Sequence, residues 1–102
     1  MATCNWNGYT FDIYDVNTSW NDVGGVYIFA GVALNGKWNA YYIGICDSLK
    51  NRCPNHERWD EAAQLGATHI HAMVVPLETN RQSIEKELIQ WAAPQLNTHH
   101  RL

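Results

Sequence analysis

Apolar and polar residues alternate near the start of the chain and give way to denser apolar runs further on. Tyr9, Phe11 and Ile13 alternate with Thr10 and Asp12, a two-residue period that predicts a short strand or extended arm with one covered face. Asn17 to Asp22 reads as a turn or a single helical turn. Gly25 to Val32 is a run of Val, Tyr, Ile and Phe with glycine near both ends, the pattern of a strand. Asn35-Gly36 is a hairpin signal, and Trp38 to Ile45 is the returning strand. Ser48 caps a short helix that reaches Arg52. Pro54 has no N–H to donate, so it interrupts that helix and opens a second one, from about Pro54 to Leu65, ended by Gly66. Thr68 to Val75 forms a third strand closed by Pro76. Thr79 or Asn80 caps the last helix, with Thr79 and Gln82 at capping-box spacing. Ile84, Leu88, Trp91 and Ala92 recur at helical spacing as its buried stripe, and Pro94 stops it.

The predicted order is β-β-α-β-α. It implies an α/β chain of the α+β type, with a small three-stranded antiparallel or mixed sheet flanked by helices. Residues 1–24 are expected as an N-terminal extension whose aromatics pack on the domain, 25–97 as the domain itself, and 98–102 as a tail holding His99 and His100.

At 102 residues the chain has room for one domain and one modest core. It contains no apolar run of membrane-spanning length and no basic-then-apolar leader pattern, so a cytoplasmic location is the expectation. Its three cysteines, Cys4, Cys46 and Cys53, are odd in number and contain no C-x-x-C pair. That argues against a disulfide framework and a thiolate zinc site. The net charge of −3, with seven Lys and Arg, argues against an extended electropositive surface for nucleic acid. Any phosphate contact must come from a small convergent patch, for which Lys50, Arg52, Arg58 and Lys86 are the candidates.

Several residue types suited to phosphoryl chemistry fall in an ordered set. Tyr27 and Tyr42 lie on the two hairpin strands, whose rings can share a side if the register allows. Tyr41 then faces the other way. A phenol is a poor base at neutral pH, but it can relay a proton beside a cation. Arg52 offers a fork of donors that matches phosphate oxygens. His56 follows four residues later, with Pro54 between them. Glu85 lies beside the buried stripe of the last helix, where its oxygens can hold one hard cation. By position alone a solvated helix acid, like Glu78 and Glu87, is the favoured reading; the downstream Leu88-Ile89 and Pro94-x-x-Asn97 pattern reverses it. His69 and His71 share a strand face, but spacing offers no third zinc ligand, and two satisfied histidines account for them.

Taken together, Gly25-Val26-Tyr27, Tyr42-Ile43-Gly44, Leu49-Lys50-Asn51-Arg52 and the closing stretch from Glu85 through Pro94-Gln95-Leu96-Asn97 resemble the GIY-YIG nuclease family. The resemblance covers residues 25 to 97. It implies a small sheet flanked by helices and a hydrolase, a DNA endonuclease using one Mg²⁺ or Mn²⁺. By that similarity Glu85, rather than Glu87, holds the metal and Arg52 grips the scissile phosphate. Tyr27 acts on the attacking water as base or relay, Tyr42 and His56 assist, and Asn97 braces the site. Ile45, where some members carry a lysine, and Pro54 depart from the family pattern. The expectation is a compact stand-alone member from a bacterium or phage that cuts one strand per site. Double-strand cleavage then needs a homodimer, a partner protein or two encounters. DNA is the expected partner, whether duplex, branched or single-stranded. The alternative functions are a catalytically weak or inactive nucleic-acid-binding module of the same fold, and a protein-interaction domain using exposed tryptophan.

Overall fold

The computed structural model describes residues 2–98. Of the expected tail, residue 98 ends the last helix, while His99, His100 and the two residues after them lie outside the described residues. Strand β1 (Thr3–Trp6) returns as β2 (Tyr9–Asp15) through Asn7-Gly8. Both loop residues have positive φ, 50° and 93°, the conformation whose twist matches that of paired strands. Then follow β3 (Gly25–Val32), β4 (Trp38–Cys46), α1 (Leu49–Arg52), α2 (Trp59–Leu65), β5 (His69–Val74), α3 (Glu78–Ala92) and α4 (Gln95–Thr98).

The strands form one sheet in the order β1-β2-β5-β3-β4, with every neighbouring pair antiparallel. The α+β class and the order from Gly25 through α3 are those expected; α4 was not foreseen. The sheet, however, has five strands rather than three. The N-terminal hairpin joins along β2, which pairs Asp12 to Asp15 with the edge of β5. Asn7-Gly8 is the same dipeptide as Asn35-Gly36, and it is the signal that would have revealed β1. An edge of unpaired N–H and C=O groups on β5 supplies the reason for the pairing.

The helices sandwich the sheet. On one face Val26, Ile28, Ala30 and Ile43 pack with Trp6, Phe11 and Leu88, and Ile84, Ile89 and Ala92 of α3 lie against them. On the other face Tyr27, Phe29, Ile70 and Ala72 pack under Leu49, Cys53, Ala62 and Leu96, which come from α1, α2, α4 and their flanks. Gly31 is where the end of α2 crosses the sheet, and a Cβ there would collide with the Gly66 carbonyl.

Ser48 caps α1, its hydroxyl accepting from the Asn51 N–H at 3.2 Å. Gly66, at φ 129°, ends α2. Other boundaries differ from the expectations. Helix α2 starts at Trp59, not Pro54, because residues 53–58 form a turn with Asn55 at φ 57°. Helix α3 starts after Leu77 with no side-chain cap, and Thr79 and Asn80 fall within its first turn. Trp91 is 54% exposed rather than buried. The buried positions of α3 include Arg81, which no apolar pattern could announce. Its guanidinium donates to the Val75 and Pro76 carbonyls, each at 2.9 Å, and to Asp47 at 2.8 Å, so the buried charge is compensated. No helix among the described residues is long and apolar enough to cross a membrane. All three cysteines are free.

Candidate active site

The β3–β4 register puts Tyr27 opposite Gly44 and Phe29 opposite Tyr42. The two tyrosines therefore share the face covered by α1, α2 and α4, with ring centroids 6.3 Å apart. The Tyr27 phenol lies directly over Gly44, where any Cβ would meet its hydroxyl. A glycine is thus required by the tyrosine on the neighbouring strand. Tyr41 was expected on the opposite face, yet it packs on the same side as Tyr42. The register shifts between Phe29 and Ala30, and the extra residue of a bulge breaks the alternation.

His56 is buried, with Nε2 2.7 Å from the Tyr27 hydroxyl. Its Nδ1 accepts the backbone N–H of Arg58 at 3.0 Å. In a neutral ring that bond assigns the proton to Nε2, so His56 donates to the Tyr27 oxygen. The Glu57 carboxylate, 3.4 Å from Nδ1, is then a charged neighbour rather than a hydrogen-bond partner. Burial, and next the Arg52 charge, lower the His56 pKa to about 4, so the ring is neutral at pH 7. Burial above all raises the Tyr27 pKa, with Tyr42 adding to it and Arg52 opposing. Tyr27 is only 1% exposed. Tyr42 is half-buried; desolvation raises its pKa, Arg52 and Arg58 oppose this, and Glu85 and Glu57 add to it.

Arg52 does not stand open. It makes a bidentate pair with Glu57, at 2.7 and 2.6 Å. That hydrogen bond draws the Glu57 carboxyl down to about 2 and raises the Arg52 pKa. Glu57 was not among the candidates. Its only sequence signal is an acid placed five residues after Arg52, beyond the Pro54 break.

Glu85 is half-buried on α3, and desolvation raises its carboxyl pKa. It is near enough to Tyr42 for its charge to act on that phenol. Among the described residues it makes no hydrogen bond or ion pair, whereas Glu87 accepts from the Tyr9 hydroxyl at 3.0 Å and the Asn7 amide at 3.1 Å. Glu87 is solvent-exposed, as expected, and also ties α3 to the N-terminal hairpin. Asn97 pairs with Ile43 as another strand would, Oδ1 accepting its N–H and Nδ2 donating to its carbonyl, both at 2.8 Å. It closes the outer edge of β4 beside Tyr42. Lys50 and Lys86 are exposed. Arg58 turns inward, bonding Glu61 at 2.8 Å and the Leu96 carbonyl at 3.3 Å, with its guanidinium carbon 5.9 Å from the Tyr42 ring centre.

His69 and His71 lie on the α3 face of the sheet, away from the tyrosines. His71 is buried against Trp6 and Trp38, its Nδ1 accepting the Trp6 indole N–H at 3.0 Å. Among the described residues no three His, Cys, Asp or Glu side chains gather as a metal centre. Two carboxylates act on Tyr42: Glu57, already held by Arg52, and Glu85 of α3, which has no partner among the described residues and is the one open to a metal. A desolvated carboxylate without a cation is costly, and one such ligand fits a hard divalent ion that keeps water and phosphate oxygens in its other positions.

The chain matches no family model and no curated protein. Among solved structures it is similar to the GIY-YIG N-terminal endonuclease domain of UvrC from Thermotoga maritima. With magnesium bound as its catalytic divalent cation, that domain is 26% identical, at a TM-score of 0.60, over 74% of this chain and 84% of its own. An asparagine-to-alanine mutant gives 26% and 0.60 over 74% and 83%. A tyrosine-to-phenylalanine mutant gives 27% and 0.58 over the same shares. The antiparallel sheet, its flanking helices and the paired tyrosine motifs define a nuclease fold of the GIY-YIG type. The GIY-YIG likeness read from the sequence is thus matched in the fold.

Proposed function

We propose that the chain is a divalent-metal-dependent endonuclease that hydrolyses DNA phosphodiester bonds by attack of water, one strand per site. The observation that carries this reading is the 2.7 Å contact between Tyr27 and His56, made beside Arg52 and on the sheet face shared with Tyr42. Glu85 acts at Tyr42 from α3.

Glu85 would hold one Mg²⁺ or Mn²⁺. Bound there, the ion supplies a Lewis acid for water and phosphate oxygens. Arg52 grips the scissile phosphate by exchanging Glu57 for phosphate oxygens; both side chains are substantially exposed, at 41% and 62%, so the exchange has little desolvation to overcome. Tyr27 keeps its proton at neutral pH, which favours relay over base. Its oxygen takes the His56 proton bond while its own O–H stays available to orient a neighbour. Tyr42, half-buried, is the phenol nearer to solvent. Asn97 holds β4, and through it Tyr42, in place. Lys50 and Lys86 draw in flanking phosphates, and Arg58 adds positive charge behind Tyr42.

The Arg52–Glu57 pair and the net charge of −3 favour a second reading: a weak or inactive nucleic-acid-binding module of the same fold. Supercoiled plasmid incubated with the chain, with and without Mg²⁺, separates them. Under the first reading nicked circles form only with metal, and Glu85→Ala lowers the rate by about 100-fold or more with the circular dichroism unchanged. Binding of DNA without cleavage, under any divalent ion, would establish the second. Cleavage that persists in chelator, or at full rate in Glu85→Ala, would remove the proposed mechanism.

A further inference from the structure

A cavity of about 440 Å³ opens behind His56, between the N-terminal segment and the turn after α1. His56 lines this cavity and on its other side meets the Tyr27 hydroxyl. Asn17, Asn55, Glu57, Trp59 and Asp60 form much of the remainder. The charged residues of the lining are acidic, with no lysine or arginine among them. A phosphate is therefore repelled, and a neutral group bearing N–H donors is favoured. The side chains of Asn17, Asn55 and Asp60 make no hydrogen bond to another described residue. Polar groups of both donor and acceptor kind are thus open to a ligand. Trp59, with Val16 and Pro54 nearby, adds apolar surface for a flat ring.

We propose that this cavity is a nucleobase subsite, which takes one unstacked base from the strand being cut and prefers bases with an exocyclic amine over thymine. The inference rests on the nuclease reading. Arg52, the proposed phosphate grip, is bonded to Glu57 of the cavity wall at 2.6 and 2.7 Å. A nucleotide with its phosphate on Arg52 therefore carries its base to the cavity mouth. Asp60 offers a carboxylate acceptor to a base even without that exchange, and the exchange adds the Glu57 carboxylate beside it. Carboxylates read amine donors, as on cytosine N4. Thymine has no exocyclic amine. Unstacking costs least in single-stranded, frayed or mismatched DNA, so those substrates gain most. Val16 and Asn17 belong to the segment before Gly25, so the subsite is built partly by residues outside the family resemblance.

The test uses the whole ¹⁵N-labelled chain without metal, titrated with deoxycytidine, deoxyadenosine, deoxyguanosine or thymidine. The expected result is a shift of the Trp59 indole N–H and the Asn17 and Asn55 amides, with thymidine at least fivefold weaker than deoxycytidine. Asp60→Ala should reduce that preference, and Val16→Trp, which fills the cavity, should abolish the shifts with its spectrum otherwise folded. No shift at Trp59 at millimolar nucleoside, or equal affinity for thymidine and deoxycytidine, overturns the proposal. A second arm compares Mg²⁺-dependent cutting of oligo-dC and oligo-dT single strands. Wild type should favour oligo-dC several-fold and Asp60→Ala should lose the preference; equal cutting by wild type overturns the subsite. If neither strand nor plasmid is cut, the nuclease reading fails, while the metal-free titration still decides the cavity.

Discussion

At the scale of single residues, two contacts govern the site. Glu57 occupies the Arg52 fork with the geometry that a phosphate would use. A phosphate must displace it, so Glu57→Gln should tighten metal-free DNA binding several-fold, measured by fluorescence anisotropy, with a larger gain at low salt. Unchanged or weaker binding would show that Arg52 does not meet phosphate. The second contact is Tyr27 over Gly44. Gly44→Ala places a methyl against the phenol hydroxyl, and overpacking of that kind costs about 1–3 kcal/mol. Chemical denaturation should show that loss, and the Tyr27–His56 bond should be disturbed with it, lowering cleavage beyond what the stability change explains. A fully stable, fully active Gly44→Ala would contradict the packing described.

At the scale of elements, the N-terminal hairpin is held in two ways. Strand β2 pairs with β5 along the backbone, and Glu87 ties the hairpin tip to α3 through Tyr9 and Asn7. The tie is exposed, so it controls local opening more than global unfolding. In Glu87→Ala the amides of β1 and its turn should exchange faster with deuterium, while those of β3 and β5 keep their protection and plasmid nicking is unaffected. Equal protection of β1 in both proteins would make the tie irrelevant. Glu85, two residues earlier on the same helix, behaves oppositely: the helix turns it toward Tyr42, where it has lost water and gained no partner among the described residues.

For the whole molecule, the two buried histidines set a pH dependence. Burial holds both His56 and His71 down to about 4 in the folded chain, with Arg52 assisting at His56 and His69 at His71. An unfolded histidine takes its proton near pH 6.5, so between those values the unfolded chain binds more protons. The stability they contribute is complete above about pH 6.5 and is lost as pH falls through about 4. Thermal melts should show Tm dropping by roughly 5 °C or more over that interval. His71→Gln should flatten part of the slope, because glutamine keeps an acceptor for Trp6 without a titrating ring. A flat Tm between pH 6.5 and 4 would mean that neither ring is held neutral.

The β3–β4 hairpin, the cap at Ser48, the stop at Gly66 and the α+β class were legible in the sequence. Each is local: a turn type, a cap or a two-residue period depends on neighbours within a few positions. So were Tyr27, Tyr42, Arg52, His56, Glu85 and Asn97, as an ordered set of residue types rather than as a geometry. The tertiary structure alone decided what those residues meet. The bulge that brings Tyr41 to the side of Tyr42, the closure of β4 by Asn97 and the union of Arg52 with Glu57 join segments that local pattern does not connect. The same holds for β1 and β2, whose place follows from an open edge on β5, and for Arg81, whose burial depends on the Val75 and Pro76 carbonyls and Asp47. Hydrogen-bond partners and solvent exclusion are properties of the assembled chain, and the shifted acidities of Tyr27, His56 and Glu85 follow from them.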